Sequence, residues 1–217
     1  MKKRILCYGD SNTWGYIPGT GLRYEEDVRW TGVCQKALGT EYCMVEEAIC
    51  GRTTVFDVPW AQCRNGLAGL SYALEAQKPL NLVILLLGTN DLVMRINRHI
   101  VLGADELVHV VQNANSIFNV ELPIFPNGPK VLLVAPAPFH PVVDQRPGIP
   151  AYGKYADSCA LAALYAEVAK KHGVEFLDAG QFAAASEIDG IHLTKESHHS
   201  LGLAMAEKIR TMLEERA

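Results

Sequence analysis

The stretch Asn81–Leu87 reads NLVILLL, ends at Gly88 and indicates the fold class of the chain. An apolar run without polar alternation is typical of a strand that is buried on both faces, as in a parallel sheet. Other apolar segments have the same character but are shorter or weaker. These further candidate strands are Arg4–Tyr8, Tyr42–Ala48, Lys130–Ala135 and Val174–Leu177.

Helical patterns alternate with these candidate strands along the chain. The predicted helices are Val28–Leu38, Leu67–Gln77, Ala104–Phe118, Tyr152–His172 and Glu196–Glu215. Such alternation predicts an α/β sandwich in which helices connect the strands of a parallel sheet. Three segments are interpreted as loops, namely Leu92–Val101, Val120–Pro129 and the proline-rich Ala137–Ala151. The length leaves little beyond these elements, which predicts one domain over residues 1–217.

Composition excludes several classes of protein. The chain has 217 residues, of which 49% are hydrophobic and 20% charged, and a net charge of -4. A mildly acidic chain without basic runs is a poor partner for nucleic acid or anionic membranes. No apolar run approaches the ~18–20 residues of a membrane span. The six cysteines form no C-x-x-C pair, and we interpret them as reduced thiols of a cytoplasmic protein.

Three short polar motifs each follow a predicted strand. They are GDSN at 9–12, GTND at 88–91 and DGIH at 189–192. Parallel sheets bind ligands at the carboxyl ends of their strands, near the point where the strand order reverses. In the strand order 2-1-3-4-5 that point lies between the first and third strands. Ser11 follows the first strand and Asn90 the third, so the two residues are expected side by side. The segment leading to His192 is long enough to carry that residue across the top of the sheet.

The residue types of these motifs fit nucleophilic catalysis. A serine hydroxyl such as that of Ser11 needs a base, and the imidazole of His192 is the usual kind. Asp189, three residues before it, is close enough in sequence to orient the imidazole and stabilise its charge. An acyl-transfer oxyanion then needs hydrogen-bond donors. The candidates are the Ser11 N–H, the Asn90 amide and a backbone N–H after the second strand, where Gly51 allows close approach.

The combination of motifs resembles the SGNH hydrolases, also called the GDSL esterase/lipase family. The resemblance covers nearly the whole chain and is closest to the small bacterial aryl-esterase/acyltransferase branch. It is carried by Arg4–Trp14 (RILCYGDSNTW), Asp27–Gly32 (DVRWTG), Glu46–Thr54 (EEAICGRTT), Leu86–Asp91 (LLGTND) and Gly190–Thr194 (GIHLT). It implies a three-layer α/β/α flavodoxin-like sandwich around a five-stranded parallel sheet.

The resemblance also implies the roles of the site residues. Ser11 would be the nucleophile and first oxyanion donor, with Gly51 and Asn90 as the other donors. His192 would be the base and Asp189 its orienting acid. The expected reaction is hydrolysis of small short-acyl or aryl esters through an acyl-enzyme, with acyl transfer to alcohols as an extension. Neither a cofactor nor a metal is expected, because the sequence has no cluster with metal-ligand spacing.

Substrate contacts are predicted for four residues near these motifs. Asn12 takes the place of the leucine in G-D-S-L, Trp14 lies one turn beyond Ser11, and Ile191 precedes the histidine. Phe139 lies in the proline-rich loop, which is expected to shape the substrate pocket. Because relatives in this branch form oligomers, the resemblance leaves room for a homo-oligomer.

Other interpretations of the same residues remain open at this point. A carbohydrate O-acetyl esterase would use the same catalytic motifs. A flavodoxin-like binding module would instead hold a phosphate in the loop after the first strand, although the Asp10 carboxylate would repel it. Asp10 and Asp91 are expected to brace turns. His198 and His199 are expected at the surface, and the sequence offers no partner for His172.

Overall fold

A computed structural model of the protein describes residues 2–94, 97–118 and 121–214. Five parallel strands form one sheet in the order β2-β1-β3-β4-β5. The strands are β1 (Lys3–Gly9), β2 (Tyr42–Ala48), β3 (Leu82–Leu86), β4 (Val131–Ala135) and β5 (Glu175–Asp178). The predicted α/β class and strand order are therefore confirmed.

Helices connect the strands and cover the sheet. They are α1 (Ser11–Trp14), α2 (Trp30–Leu38), α3 (Gly66–Gln77), α4 (Asp91–Met94), α5 (Asn97–Ile117), α6 (Tyr155–His172) and α7 (Lys195–Leu213). Short 3₁₀ turns lie at Pro141–Gln145 and Ala179–Gln181. None of the described helices is long and apolar enough to cross a bilayer.

Successive strand residues supply two separate cores. Leu6, Val83 and Leu133 point to the face that is covered by α3, α5 and α6. Ile84 and Leu132 point to the other face, which α2 and α7 cover. Because strand side chains alternate between faces, a strand with helices on both sides must be apolar at every position. This requirement explains the unbroken apolar run in β3.

Two of the segments predicted as loops contain helices. Leu92–Val101 was predicted to be irregular, but its described part belongs to α4 and α5. Ile100 at this point is fully buried in the core between sheet and helices. The prediction was wrong because Ile100, Ala104 and Leu107 form one buried face at helical spacing, so the helix begins before Ala104. Within Ala137–Ala151, the 3₁₀ turn begins at Pro141, where a fixed proline φ suits the first helical position.

Candidate active site

Ser11 lies directly after the central strand β1, at the first position of α1. Asp10 caps this four-residue helix, because its Oδ1 accepts a hydrogen bond from the Asn12 N–H at 2.9 Å. Gly15 ends the helix with φ of 88°, and its N–H donates to the Ser11 carbonyl. The local sequence thus makes a sharp strand-to-helix turn that presents Ser11 at the carboxyl edge of the sheet.

Gly9 makes this turn sterically feasible. A Cβ atom at position 9 would lie 2.1 Å from Thr13 Oγ1 and 3.2 Å from the Leu86 carbonyl oxygen. Both distances are below normal van der Waals contact, so a larger residue would force the strand and α1 apart. The glycine of the G-D-S motif therefore serves packing, and it fixes where Ser11 stands.

Ser11, His192 and Asp189 form one chain of polar contacts. His192 Nε2 lies 3.0 Å from Ser11 Oγ, and His192 Nδ1 lies 2.8 Å from Asp189 Oδ2. The two imidazole nitrogens therefore face a hydroxyl on one side and a carboxylate on the other. This is the geometry that a general base needs in order to take a proton from serine.

The Asp189 carboxylate is held in its charged form by several donors. Burial alone would raise its pKa, but the His192 side chain and the backbone N–H groups of His192 and Ile191 lower that pKa to about 2. The Gly19 N–H adds a contact at 3.2 Å to Oδ2. The carboxylate is therefore ionised throughout the neutral range and can stabilise a protonated imidazole.

The loop after α1 covers the imidazole, a contact that sequence reasoning missed. The Tyr16 ring lies over His192 with 4.2 Å between ring centroids and 30° between planes. The same loop carries Gly19, whose N–H reaches Asp189. Tyr16 follows the quoted RILCYGDSNTW block by two residues, and only the folded loop shows that it returns to the histidine.

Gly51 and Asn90 lie after the two strands that flank β1. Gly51 has φ of 80°, a left-handed conformation that suits glycine. Asn90 Nδ2 donates to the Arg52 carbonyl at 3.0 Å, which ties the loop after β3 to the residue next to Gly51. Asp91 strengthens this link, because its carboxylate accepts from the Thr54 N–H and hydroxyl. The predicted bracing role of Asp91 agrees with these contacts.

A buried arginine supports the loop of Gly51 from below. Arg52 Nη1 donates to the Gly9 carbonyl at 3.0 Å and to the Glu47 carbonyl at 2.5 Å. Its guanidinium lies 4.1 Å from the centre of the Tyr8 ring, a favourable cation–π geometry. The carboxyl ends of β1 and β2 are thus joined immediately beside Ser11.

Asp10 is fully buried, and burial raises its pKa to about 6 although the Asn12 N–H donates to it. Its placement supports the predicted bracing of the turn. The carboxylate that reaches His192 belongs to Asp189 and not to this neighbour of the nucleophile.

The four predicted substrate contacts fall in different environments. Phe139 is 2% exposed and belongs to the core on the α5–α6 face. Trp14 faces the Arg23 guanidinium, 5.0 Å from the ring centre. Ile191 is partly buried against the core. Asn12 is 8% exposed and bonds to the backbone around His192.

A charged network ties two of the quoted sequence blocks together. Glu46 on β2 accepts from Arg29 Nε and Nη2, each at 2.7 Å, and from Arg23 at 3.1 Å. Thr31 also donates to this carboxylate. Arg29 in turn donates to the Tyr24 carbonyl. The blocks DVRWTG and EEAICGRTT therefore hold the loop that carries Tyr16 and Gly19.

His198 was predicted at the surface, and this prediction was wrong. It is fully buried under α2, where its Nδ1 accepts from the Trp30 N–H at 3.2 Å. Burial lowers its pKa to about 4, so the ring is neutral near pH 7. The imidazole thereby completes the N-terminus of α2, a role that only tertiary contact shows.

Metal ligation has no candidate centre in residues 2–94, 97–118 and 121–214. No group of three His, Cys, Asp or Glu side chains there is arranged to hold an ion. His192 and Asp189 are instead engaged with each other and with Ser11.

Comparison with known proteins agrees with this geometry. Residues 7–199 match the model of the GDSL-like lipase/acylhydrolase family. This protein belongs to that family. A comparison with curated proteins gave no match. The matched range includes Ser11, Asn90 and His192.

Solved structures of two esterases superpose on nearly the whole chain. The Mycobacterium smegmatis aryl esterase is 37% identical, with 97% of this chain and 100% of that chain covered and a TM-score of 0.89. A carbohydrate acetylesterase from Sinorhizobium meliloti is 38% identical, with 98% and 100% covered and a TM-score of 0.87. The protein is accordingly a serine-type carboxylic ester hydrolase of the GDSL-like family.

Proposed function

We propose that Ser11 is the nucleophile, His192 the general base and Asp189 the residue that orients His192. The supporting observation is the continuous chain from Asp189 Oδ2 through both imidazole nitrogens to Ser11 Oγ. His192 takes the hydroxyl proton as Ser11 attacks the ester carbonyl carbon. The ionised Asp189 carboxylate stabilises the imidazolium that results.

The tetrahedral oxyanion is held by the Ser11 N–H, the Gly51 N–H and the Asn90 side-chain amide in this proposal. These groups follow β1, β2 and β3, which are adjacent at one edge of the sheet. One N–H of the Asn90 amide donates to the Arg52 carbonyl, so the second is fixed in direction and remains for the oxyanion. Fixed donors of this kind stabilise negative charge without reorganisation.

Collapse of the intermediate releases the alcohol, which takes its proton from His192, and leaves the acyl group on Ser11. Water then attacks the acyl-enzyme with His192 again as base. The carboxylic acid leaves and the free serine is restored. Two half-reactions through one histidine follow the serine hydrolase pattern.

A direct test compares hydrolysis of a chromogenic aryl acetate by wild type and Ser11→Ala. We expect turnover to fall by about 10⁴-fold or more, because the nucleophile is lost. Ser71→Ala, a serine of α3 outside the proposed site, is the matched control and should retain wild-type turnover. Undiminished activity in Ser11→Ala would exclude this residue as the nucleophile.

Small aryl or short-acyl esters are the proposed substrates. The support is the similarity to the M. smegmatis aryl esterase. An O-acetylated sugar is the second candidate, because the S. meliloti carbohydrate acetylesterase is similar to the same extent. The ratio of kcat/KM for an aryl acetate to that for an acetylated sugar decides between them. A higher value for the sugar would replace the first proposal with the second.

Acyl transfer to an alcohol extends the same mechanism. An alcohol that occupies the water position would attack the acyl-enzyme and yield a new ester. The partly buried apolar side chain of Ile191 next to His192 supports this extension. Product analysis in water with an added primary alcohol measures it. Formation of acid alone at every alcohol concentration would exclude transfer.

A cytoplasmic location and a homo-oligomeric state are also proposed. All six cysteines are free thiols, which suits a reducing compartment. Trp60 and Tyr72 are 79% and 80% exposed, and large exposed apolar side chains are often covered in assemblies. Light scattering of the purified protein tests the second proposal, which a monomeric mass of 23.8 kDa at all concentrations would exclude.

A further inference from the structure

The side chain of Asn12 bonds to the loop that carries His192. Asn12 follows Ser11 on α1 and is almost wholly buried. Its Oδ1 accepts from the Leu193 N–H at 3.0 Å, and its Nδ2 donates to the Ile191 carbonyl at 3.5 Å. One amide therefore contacts the residues on both sides of His192.

This arrangement copies the pairing of a parallel sheet. In a parallel ladder one residue donates to the carbonyl before its partner and accepts from the N–H after it. The Asn12 amide takes the place of that residue, with His192 as the partner. The backbone of His192 itself is also engaged, because its N–H donates to Asp189 and its carbonyl accepts from the Ser186 N–H at 2.8 Å.

These contacts fix the direction in which the imidazole leaves the backbone. Both neighbouring peptide groups are held, so rotation about the His192 backbone is opposed at each end. Asn12 and Ser11 are adjacent on the same short helix. The Asn12 amide consequently fixes the position of His192 relative to Ser11 itself, rather than relative to a distant part of the fold.

We propose that Asn12 is a positioning residue that holds His192 at hydrogen-bond distance from Ser11, and that it does not bind substrate. The proposal rests on the proposed roles of Ser11 and His192. Leucine at this position, as in G-D-S-L, offers neither the donor nor the acceptor. Aspartate would keep the acceptor for Leu193 but would place a second acceptor against the Ile191 carbonyl.

The chain provides a matched control for the loss of such an amide. Asn115 on α5 binds Phe125 in the same two-point manner, with Nδ2 donating to the Phe125 carbonyl at 2.9 Å and Oδ1 accepting from its N–H at 3.0 Å. Phe125 has no place in the proposed chemistry. Asn115→Leu therefore removes the same kind of contact outside the active site.

The test compares Asn12→Leu and Asn12→Asp with Asn115→Leu and wild type on a chromogenic aryl acetate. We expect kcat to fall about 10- to 100-fold in Asn12→Leu, because a displaced base loses catalytic power steeply with distance. KM should change less than twofold, and Asn12→Asp should fall between Asn12→Leu and wild type. Asn115→Leu should keep wild-type kcat and KM even where thermal unfolding shows a lower Tm.

A second readout follows the histidine directly. The proton shared by His192 Nδ1 and Asp189 gives a far-downfield proton NMR signal when the pair is fixed, and we expect this signal to broaden in Asn12→Leu. Unchanged kcat with a raised KM would overturn the proposal and assign Asn12 to substrate binding. An inactive Ser11→Ala with a fully active Asn12→Leu would reject this inference alone, whereas an active Ser11→Ala would reject the proposed function.

Discussion

Two histidine–aspartate pairs of nearly equal length lie in different regions of the described structure. In the loop before α7, His192 Nδ1 lies 2.8 Å from Asp189. At the end of α6, His172 Nε2 lies 2.7 Å from Asp105, which belongs to α5. The two pairs differ in the partner of the second ring nitrogen of the histidine. In His192 it faces the hydroxyl of Ser11, and in His172 it faces Gln112 Oε1 at 3.0 Å.

The two carboxylates also differ in the groups that contact them. Asp105 is shared with Lys171, whose Nζ lies 2.7 and 2.9 Å from its oxygens, so a fixed cation already balances it. Asp189 instead accepts backbone N–H groups and His192. A histidine–aspartate distance therefore does not identify a catalytic pair. A catalytic pair is identified by the group that faces the second ring nitrogen and by whether another cation already balances the carboxylate.

Replacement of the two histidines gives the largest expected difference between the pairs. His192→Gln should lower kcat/KM for an aryl acetate by about 10⁴-fold or more, because the general base is lost. His172→Gln should leave kcat/KM within about twofold of wild type, since it touches no reacting atom. Steady-state kinetics on both variants is the measurement. Comparable losses in the two would show that the pairs are not functionally distinct.

Replacement of the two aspartates should again lower activity only in the His192 pair, by less than replacement of His192 does. Asp189→Asn leaves the shape but removes the charge that orients His192, and we expect kcat to fall by about 10²- to 10⁴-fold. Asp105→Asn should leave kcat unchanged. If Asp189→Asn retained wild-type kcat, the orienting role would have to be given to another carboxylate.

The pH dependence of folding stability should have opposite sign for Asp105 and Asp10, because their pKa values are shifted in opposite directions. Burial would raise the pKa of Asp105, but Lys171 and His172 outweigh it and lower that pKa. Its contribution is therefore present above the unfolded pKa near 4 and lost as pH falls below it. Urea unfolding should show that the advantage of wild type over Asp105→Asn shrinks on acidification.

Asp10 should behave in the reverse way, because burial raises its pKa to about 6. Its native state holds a proton that the unfolded chain has lost, so stability declines as pH rises from about 4 through 6, by up to about 3 kcal/mol. Asp10→Asn removes this decline, since an amide does not titrate. A wild type and an Asp10→Asn variant with parallel stability curves over this range would contradict the expected sign.

The smallest expected effect concerns the partner at the second nitrogen of His172. Gln112 Nε2 also donates to the His172 carbonyl at 2.9 Å, so Gln112→Ala removes two contacts between α5 and α6. We expect a loss of about 1–2 kcal/mol in the free energy of unfolding and no change in kcat. Urea denaturation together with aryl acetate kinetics checks both parts. A fall in kcat would mean that this pair communicates with the active site.

The sheet could be predicted from sequence because burial on both faces leaves an unbroken apolar signature, as in β3. The edge strand β2 occupies Tyr42–Ala48, the segment in which a weaker candidate strand was predicted. The proposed nucleophile could be predicted because its motif directly follows the first strand, and the proposed acid and base because their motif comes after the last predicted strand, although it lies in the loop before α7. These features are local in sequence, or are fixed by the topology that the local pattern implies.

Contacts between distant segments could not be predicted in the same way. The partner of His172 is Asp105, 67 residues earlier, and no local spacing marks it. His198 follows a helical pattern that fits either a surface or a core position until Trp30 is packed over it. Tyr16 lies over His192, 176 positions later in the chain, and no local spacing marks this contact. Contacts of this kind depend on how distant segments pack, and the periodicity of a single sequence does not show that packing.

The distance along the chain between Ser11 and His192 has a consequence for folding. These residues are 181 positions apart, so their contact closes a loop that spans most of the 217-residue chain. Contacts of high sequence separation are expected to form late, since loop closure must be offset first. Recovery of esterase activity during refolding should therefore follow recovery of helical circular dichroism, and its delay would time the docking of the segment that carries His192.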